Sequence, residues 1–401
     1  MSIANTKVAL VHDDLVQSGG AERVVGVLHE LYPSAPIYTS IYDPKTTLSS
    51  LADADIRTSY MQKWPLACRK LHKLALTSYP VAFEQFDLSE YDVVISSSSR
   101  FAKGIITPPE TCHICYCHTP ARFAWRHHEY LAQSATTRLL SPLMRGMLSK
   151  LRAWDYVSAQ RVDYFIANSA NVAKRINKYY RRDTAAVIYP PIETKRFSAA
   201  PADEVGDHFL IVSRLVGYKR LDLAVEACTR LGLPLRIIGT GPEEKALKRI
   251  AGPTVSFLGR LPDKEVSAQY ARCRALIFPG EEDFGMTPLE CMASGRPVVG
   301  FGRGGALETI IDGQTGLFFH EQTVESLSEA LVAMKNLHVL PELLQAHASR
   351  YDVAEFNTQM SRFVQWAVEE QRHRLNGPSA PQMRTSSVVT RAANSQLTLT
   401  H

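Results

Sequence analysis

"HFLIVSRLVGYKRLDLAVEA", residues His208–Ala227, contains one full repeat of the pattern that decides the fold. Phe209–Val212 is an unbroken apolar run of strand length. A polar loop with Gly217 follows, and a helical pattern starts at Leu221. The same unit recurs downstream as "LRIIGTG" (235–241) before a helix from Glu243, "VSFLG" (255–259) before a helix from Lys264, "ALIFPG" (275–280) before a helix from Pro288, and then "PVVGF" (297–301). Upstream, "KVALVHD" (7–13) leads through Gly19-Gly20 into a helix carrying Ala21, Val24, Val25, Leu28 and Leu31, and "YDVVISSSS", "HICYCH" and "DYFIANS" are further strands. Apolar strands alternating with amphipathic helices predict an α/β fold with parallel sheets covered on both faces.

The rhythm breaks once, at "YPPIETKRFSAAPADEVGD" (189–207), where Pro190 and Pro191 can continue neither a ladder nor a helix. The reading is an N-terminal doubly wound domain (1–189), a linker (190–207), a second doubly wound domain (208–350), a last helix (351–375) and a tail (376–401). The tail's Ser, Thr, Asn and Gln content predicts disorder. Two such domains set their strand carboxyl ends around one cleft, and ligands in these sheets bind at those ends.

A chain of 401 residues with 45% hydrophobic and 21% charged residues is ordinary for a globular protein and long enough for two cores. No run approaches the ~18 apolar residues of a membrane span. The start, "MSIANTKVALVHDD", does not read as a signal peptide, so a cytoplasmic location is expected. Seven cysteines, an odd number set mostly in apolar runs, suit reduced buried thiols. The net charge is +5, yet from Pro120 to Ala185 twelve Lys and Arg stand against four Asp and Glu. One basic region implies an anionic surface partner: lipid headgroups, a phosphorylated substrate or nucleic acid.

The loops after the strands carry the chemistry. In "GEEDFGMTPLE" (280–290), Thr287, Pro288 and Glu290 have the spacing of a capping box, with the helix starting at Pro288. Glu290 then either caps the helix or accepts hydrogen bonds from a ligand. Gly285 bares backbone at a helix amino end, where a phosphate or sugar oxygen can sit, and Glu282 and Glu290 can take hydroxyls. A ligand both polyhydroxylated and phosphorylated wants carboxylates and amides together. In "VSRLVGYKR", Arg214 and Lys219 flank Gly217 on one strand-end loop; they are either solvated cations or a clamp for a diphosphate. Gly19-Gly20 permits close backbone approach but fits neither a Walker loop nor Gly-x-Gly-x-x-Gly.

Cys112, Cys115, Cys117 and His118 lack a second cysteine pair at zinc-site distance, and Asp53-Ala54-Asp55 lacks a strand-end context, so no metal is expected. His118 ends its strand and is placed to project into the cleft. "IGTGPEE" and "FGRGGALE" are common turn chemistry, although Gly304, Gly305 and Glu308 could line the cleft. Lys63, Trp64, Leu66, Arg69, Lys70, Leu71, Lys73 and Leu74 form one basic amphipathic segment, and Arg145, Lys150, Arg152 and Trp154 another. Both suit either a membrane interface or a core-facing helix with a solvated basic side.

Together these segments resemble glycosyltransferase family 4, the retaining nucleotide-sugar transferases of GT-B architecture, from about Lys7 to Leu375. The most specific element is Glu-x7-Glu, here Glu282 and Glu290. "SRLVGYKRLDLAVEA", "IGTGPEE", "FLGRLPDKE", "SGRPVVGFGRGGALETIIDGQTGLFF", "HTPARFAW" and "GGAERVV" add to it. The closest flavour is that of bacterial mannosyltransferases building O-antigen and exopolysaccharide.

The resemblance implies two Rossmann-like domains, the second holding a nucleoside diphosphate sugar and the first the acceptor, with the last helix crossing back onto the first. It implies that Arg214 and Lys219 contact the diphosphate, Glu290 the ribose and Glu282 the sugar hydroxyls. Backbone at Phe284, Gly285, Met286 and Thr287 would assist, the base would rest near Gly241 and Leu258, and Gly19, Gly20 and His118 would close over the donor. No cofactor or metal is implied. The implied activity is transfer of a hexose, mannose from GDP-mannose as the first expectation, to a lipid-linked or oligosaccharide acceptor. The enzyme would sit peripherally on the inner face of the cytoplasmic membrane. A nucleotide-sugar epimerase or a phosphorylase of similar architecture is the alternative. A nucleic-acid-binding protein is disfavoured by the acids at the cleft.

Overall fold

The computed structural model describes residues 6–65, 75–125 and 141–376, and within them the chain forms two parallel sheets. The first holds β1 (Val8–His12), β2 (Ile37–Thr39), β3 (Ile56–Thr58), β4 (Val93–Ser98), β5 (Cys112–Cys117), β6 (Tyr164–Ala167) and β7 (Ala186–Val187), in the order β3-β2-β1-β4-β5-β6-β7. The second holds β8 (Phe209–Val212), β9 (Leu235–Ile238), β10 (Val255–Gly259), β11 (Ala275–Phe278), β12 (Val298–Phe301) and β13 (Gly316–Phe319), in the order β10-β9-β8-β11-β12-β13. In each sheet the order reverses beside the first strand, between β1 and β4 and between β8 and β11. A doubly wound sheet opens a crevice at such a point.

Helices cover both faces, which is why central strands read as continuous buried runs rather than alternating ones. Every residue of β4 and β5 is buried, including Cys112, Cys115 and Cys117. The six cysteines among the described residues are free and buried. The helix Val353–Asn376 lies on the first sheet, not the second: Phe356, Met360, Phe363, Val364 and Ala367 join Leu10, Val25, Ile95, Ile114 and Ile166 in one core. Each of the larger side chains contributes roughly 1.5–3 kcal/mol by leaving water.

The chain thus crosses between the sheets twice, and the crossings are tied together. Ile192 N–H donates to Tyr351 O at 2.8 Å, Val353 N–H returns to Ile192 O at 3.2 Å, and the Thr194 hydroxyl donates to the Asp352 carboxylate. Ile192 and Phe197 are buried in the second core, so the connection is packed rather than a bare tether.

The second basic segment lies in the helix Ser141–Gln160 and divides by face. Arg145 and Lys150 are exposed. Trp154 instead turns inward: its Nε1–H donates to Glu84 at 2.8 Å, and its ring packs on Gly104 and within 5.8 Å of Phe101. The buried Lys103–Asp155 ion pair beneath explains the inward face, since Asp155 also accepts from Trp125 Nε1 at 2.6 Å and Tyr180 at 2.9 Å. Of the first basic segment, Lys63 is exposed and Trp64 rests edge-on against Tyr60. Leu66, Arg69, Lys70, Leu71, Lys73 and Leu74 lie outside the described residues, as does the tail from residue 377.

Candidate active site

The two loops at the β8/β11 crevice bring most of the expected residues of the second half together. Arg214, just past β8, is exposed, and its guanidinium donates to the Tyr218 hydroxyl at 3.3 Å. Lys219 closes the short turn Gly217–Lys219 and pairs with the Glu282 carboxylate from the loop after β11. Gly285 follows with φ 97°, and a Cβ there would stand 2.8 Å from the Phe278 ring, so only glycine fits this turn.

That left-handed glycine corrects the capping-box reading. The helix runs Met286–Ala293 with Gly285 as its N-cap and no side-chain cap, two residues earlier than Pro288. Thr287 and Pro288 fall at its second and third positions. Pro288 has no N–H, so the free amides in this first turn are those of Met286 and Thr287. Glu290 is freed from capping and is buried. One carboxylate oxygen accepts from Tyr270 at 2.9 Å and the other from Arg23 Nη1 at 2.7 Å. Phe284 offers only backbone, because its ring is buried against Tyr189 and Tyr351. Gly241 packs on the Leu215 backbone, where a Cβ would come within 2.3 Å of the carbonyl oxygen. Leu258 is half-buried near the end of β10.

Two acids of "GEEDFG", Glu281 and Asp283, find partners in the other half of the molecule. Asp283 accepts from Arg122, at the start of the helix Arg122–Trp125, and from Arg175 in the helix Ala170–Tyr180. Arg175 also reaches Glu281 at 3.2 Å, and the Ser169 hydroxyl donates to Asp283 O at 2.7 Å. Glu308 points away from its own strand ends: it accepts from the Ala170 and Asn171 amides at 2.8 and 2.9 Å, capping that helix from across the cleft. The halves therefore stand closed on each other through carboxylate–guanidinium and carboxylate–amide contacts.

The facing wall belongs to the first sheet. Gly19 is the N-cap of the helix Gly20–Leu31, and Glu22 accepts from its N–H at 3.0 Å. A Cβ on Gly20 would stand 2.9 Å from Met286 Sδ, so these two expected residues meet across the cleft. His118 follows β5, is buried, and has Nε2 2.8 Å from Ser97 Oγ. Burial and the neighbouring His12 charge depress its pKa to about 4, so the ring is neutral at physiological pH.

Several residues of this wall were not singled out from the sequence. His12, Asp13 and Asp14 at the end of β1 are buried, and Asp13 accepts from the Ser99, Phe101 and Ala102 amides at 2.7–2.8 Å. Three polar residues directly after an apolar strand were the available signal. Arg23, Arg122 and Arg175 carried none, because their partners lie more than a hundred residues away in the chain. Asp55 pairs with Arg57 at 2.9 Å, and among the described residues no group of three or more His, Cys, Asp and Glu is arranged to hold a metal.

Comparison with known proteins agrees with this architecture. The model of the glycosyl transferases group 1 matches residues 193–346, and that of Glycosyltransferase Family 4 matches residues 18–196. The alpha-1,3/1,6-mannosyltransferase ALG2 of Dictyostelium discoideum is 24% identical over 385 residues, covering 80% of this chain and 88% of that protein. The glycogen synthase of Pseudomonas syringae pv. syringae is 28% identical over 273 residues, 66% of this chain, which spans about half the length (50%) of that relative. The crystal structure of Anabaena HepE in complex with UDP and glucose matches 90% of this chain and 100% of its own, with a TM-score of 0.67 at 18% identity. With both halves matched in order and two facing doubly wound sheets, the chain belongs to the family 4 glycosyltransferases of GT-B architecture.

Proposed function

We propose that this protein is a retaining hexosyltransferase that moves mannose from GDP-mannose to a lipid-linked or oligosaccharide acceptor in bacterial surface-polysaccharide synthesis. The observation that carries this reading is the cluster of Arg214, Lys219, Glu282 and the amino end of the helix Met286–Ala293 around one crevice. Breaking the sugar–phosphate bond puts negative charge on the departing diphosphate. A guanidinium, an ammonium and free helix amides meet that charge without reorganising. Lys219 exchanges Glu282 for the diphosphate, which releases Glu282 to the sugar hydroxyls; at Glu290, ribose hydroxyls take the place of Arg23. No metal is needed for this stabilisation.

His118 stabilises the charge that develops near the sugar, and the acceptor hydroxyl attacks from the face the diphosphate leaves. Closure of the two halves excludes water and suppresses donor hydrolysis. Mannose is favoured by the likeness to a mannosyltransferase over 80% of the chain. A peripheral position on an anionic membrane surface is supported by Arg145, Lys150, Tyr156 and Val157, all exposed on the helix Ser141–Gln160. The test is a panel of nucleotide sugars with lipid-linked acceptors, the product read by NMR at its anomeric centre. An α-linked product from GDP-mannose is expected; an inverted product, or donor turnover that needs no acceptor, defeats the proposal.

A further inference from the structure

Behind His118 lies a buried chain of polar groups that the reaction above does not use. Ser97 Oγ stands 2.8 Å from His118 Nε2 and 3.2 Å from His12 Nδ1. The same His12 Nδ1 stands 3.0 Å from the Ser97 carbonyl oxygen, and His12 Nε2 stands 3.9 Å from Glu22 Oε1. His12, Glu22 and Ser97 are all at most 2% exposed. From this geometry we infer that Ser97, held by the His12–Glu22 pair, locks His118 in the tautomer that carries its proton on Nδ1, making Ser97 and His12 positioning residues for His118. The inference rests on the proposed placement of His118 beside the sugar.

The proton assignment follows from which atoms can only accept. A backbone carbonyl has no proton, so His12 Nδ1 must carry one to meet Ser97 O. Ser97 Oγ faces the same N–H and therefore receives there, which leaves its single proton for His118 Nε2. An imidazole nitrogen that accepts is unprotonated, so the proton of neutral His118 sits on Nδ1. His118 Nδ1 has no hydrogen-bond partner among the described residues and is left to donate to a ligand. The opposite tautomer would offer a lone pair where a sugar oxygen wants a donor.

The charges around His12 favour this state. Burial opposes its protonation, but Glu22 from the first helix, with Asp13 and Asp14 beyond β1, outweighs burial and raises its pKa. Asp13 is committed to the amides after β4, and Asp14 pairs with Arg100. A charged His12 in turn opposes a second charge on His118. Glu22 also holds the Gly19 amide and the Gln17 side chain, at 3.0 Å each, so one carboxylate orders the glycine loop and the histidine pair together.

The test is long-range 15N–1H NMR of the full chain with labelled histidine, near pH 7.5 and without substrate. His118 is expected as the Nδ1–H tautomer and His12 with a proton on Nδ1. An Nε2–H signal for His118, or a His12 without a proton on Nδ1, overturns the inference whatever reaction the protein performs. Ser97→Ala is expected to scatter His118 between tautomers and lower kcat by about 10–100-fold with donor KM little changed, the scale of one lost buried hydrogen bond. An unchanged kcat in Ser97→Ala removes the positioning role. Full activity in His118→Ala, with the expected tautomer seen in the unsubstituted protein, instead defeats the placement of His118 at the sugar.

Discussion

Asp283→Asn tests what holds the cleft shut. Asn keeps the shape but gives up the charge that meets Arg122 and Arg175, whose side chains, like that of Asp283, are only 11–15% exposed. Removing one partner of a buried pair costs about 3–5 kcal/mol where the stranded charge has no way back to water. Here opening the cleft rehydrates both guanidinium groups, so the loss falls on the closed state alone. Glu281 still holds Arg175, and Ser169 and Glu308 keep their own contacts. The loss is then that of charge-assisted hydrogen bonding, about 2–3 kcal/mol, or roughly 30–150-fold in the ratio of closed to open. The reporter is the Asn171 amide, which sits in the first turn of its helix with no intrahelical acceptor and is protected by Glu308 from across the cleft. Its hydrogen exchange follows the open fraction even when that fraction is small. Exchange at Asn171 should accelerate by that factor while amides within β11 stay protected. Unchanged exchange at Asn171 would refute the claim that these ion pairs hold the halves together.

Three further outcomes are expected. Arg214→Ala and Lys219→Ala should each lower turnover about 10²–10³-fold with circular dichroism and melting little changed, and wild-type turnover in both removes them from leaving-group stabilisation. Asp13 has a pKa near 2 against an ordinary 3.8: burial pushes it up, but Arg100, His12 and the Phe101 and Ser99 amides outweigh burial. Its stabilisation is complete above the ordinary value and is lost as pH falls toward 2. Urea melts should therefore show Asp13→Asn about 2–3 kcal/mol less stable near pH 6, the gap narrowing below the ordinary value and closing only toward pH 2; a pH-independent gap contradicts this. Gly20→Val should collide with Met286 and wedge the cleft, raising donor KM without changing the melt, whereas an unchanged KM would show that Gly20 and Met286 do not meet in the working state.

The acids between Gly280 and Glu290 show how far local reading reaches. The sequence placed them correctly at a strand end and beside the amino end of a helix. It could not assign them individually, because Glu281 and Asp283 are answered by Arg122 and Arg175, and Glu290 by Arg23, 267 residues away. The helix start was misjudged for a related reason: Thr-x-x-Glu spacing is a local rule, and the positive φ of Gly285, set by the Phe278 ring beneath it, overrides it.

What the residues determined alone is the sequence of central strands and the loops that follow them. β1, β4, β5, β6 and β8–β12 each carry an apolar stretch legible in the chain, most clearly in the central strands, since a strand covered on both faces has no solvent side to interrupt it. The strands β2, β3 and β7, two or three residues long, carry too little pattern to register and exist through their neighbours. Tertiary structure alone decided the pairings: that Glu308 caps a helix of the opposite half, that Trp154 faces inward, and that Ser97 joins His12 to His118. Those contacts depend on which strand ends lie side by side, a property of the strand order β3-β2-β1-β4-β5-β6-β7 and of the closed cleft, and no spacing along the chain encodes either.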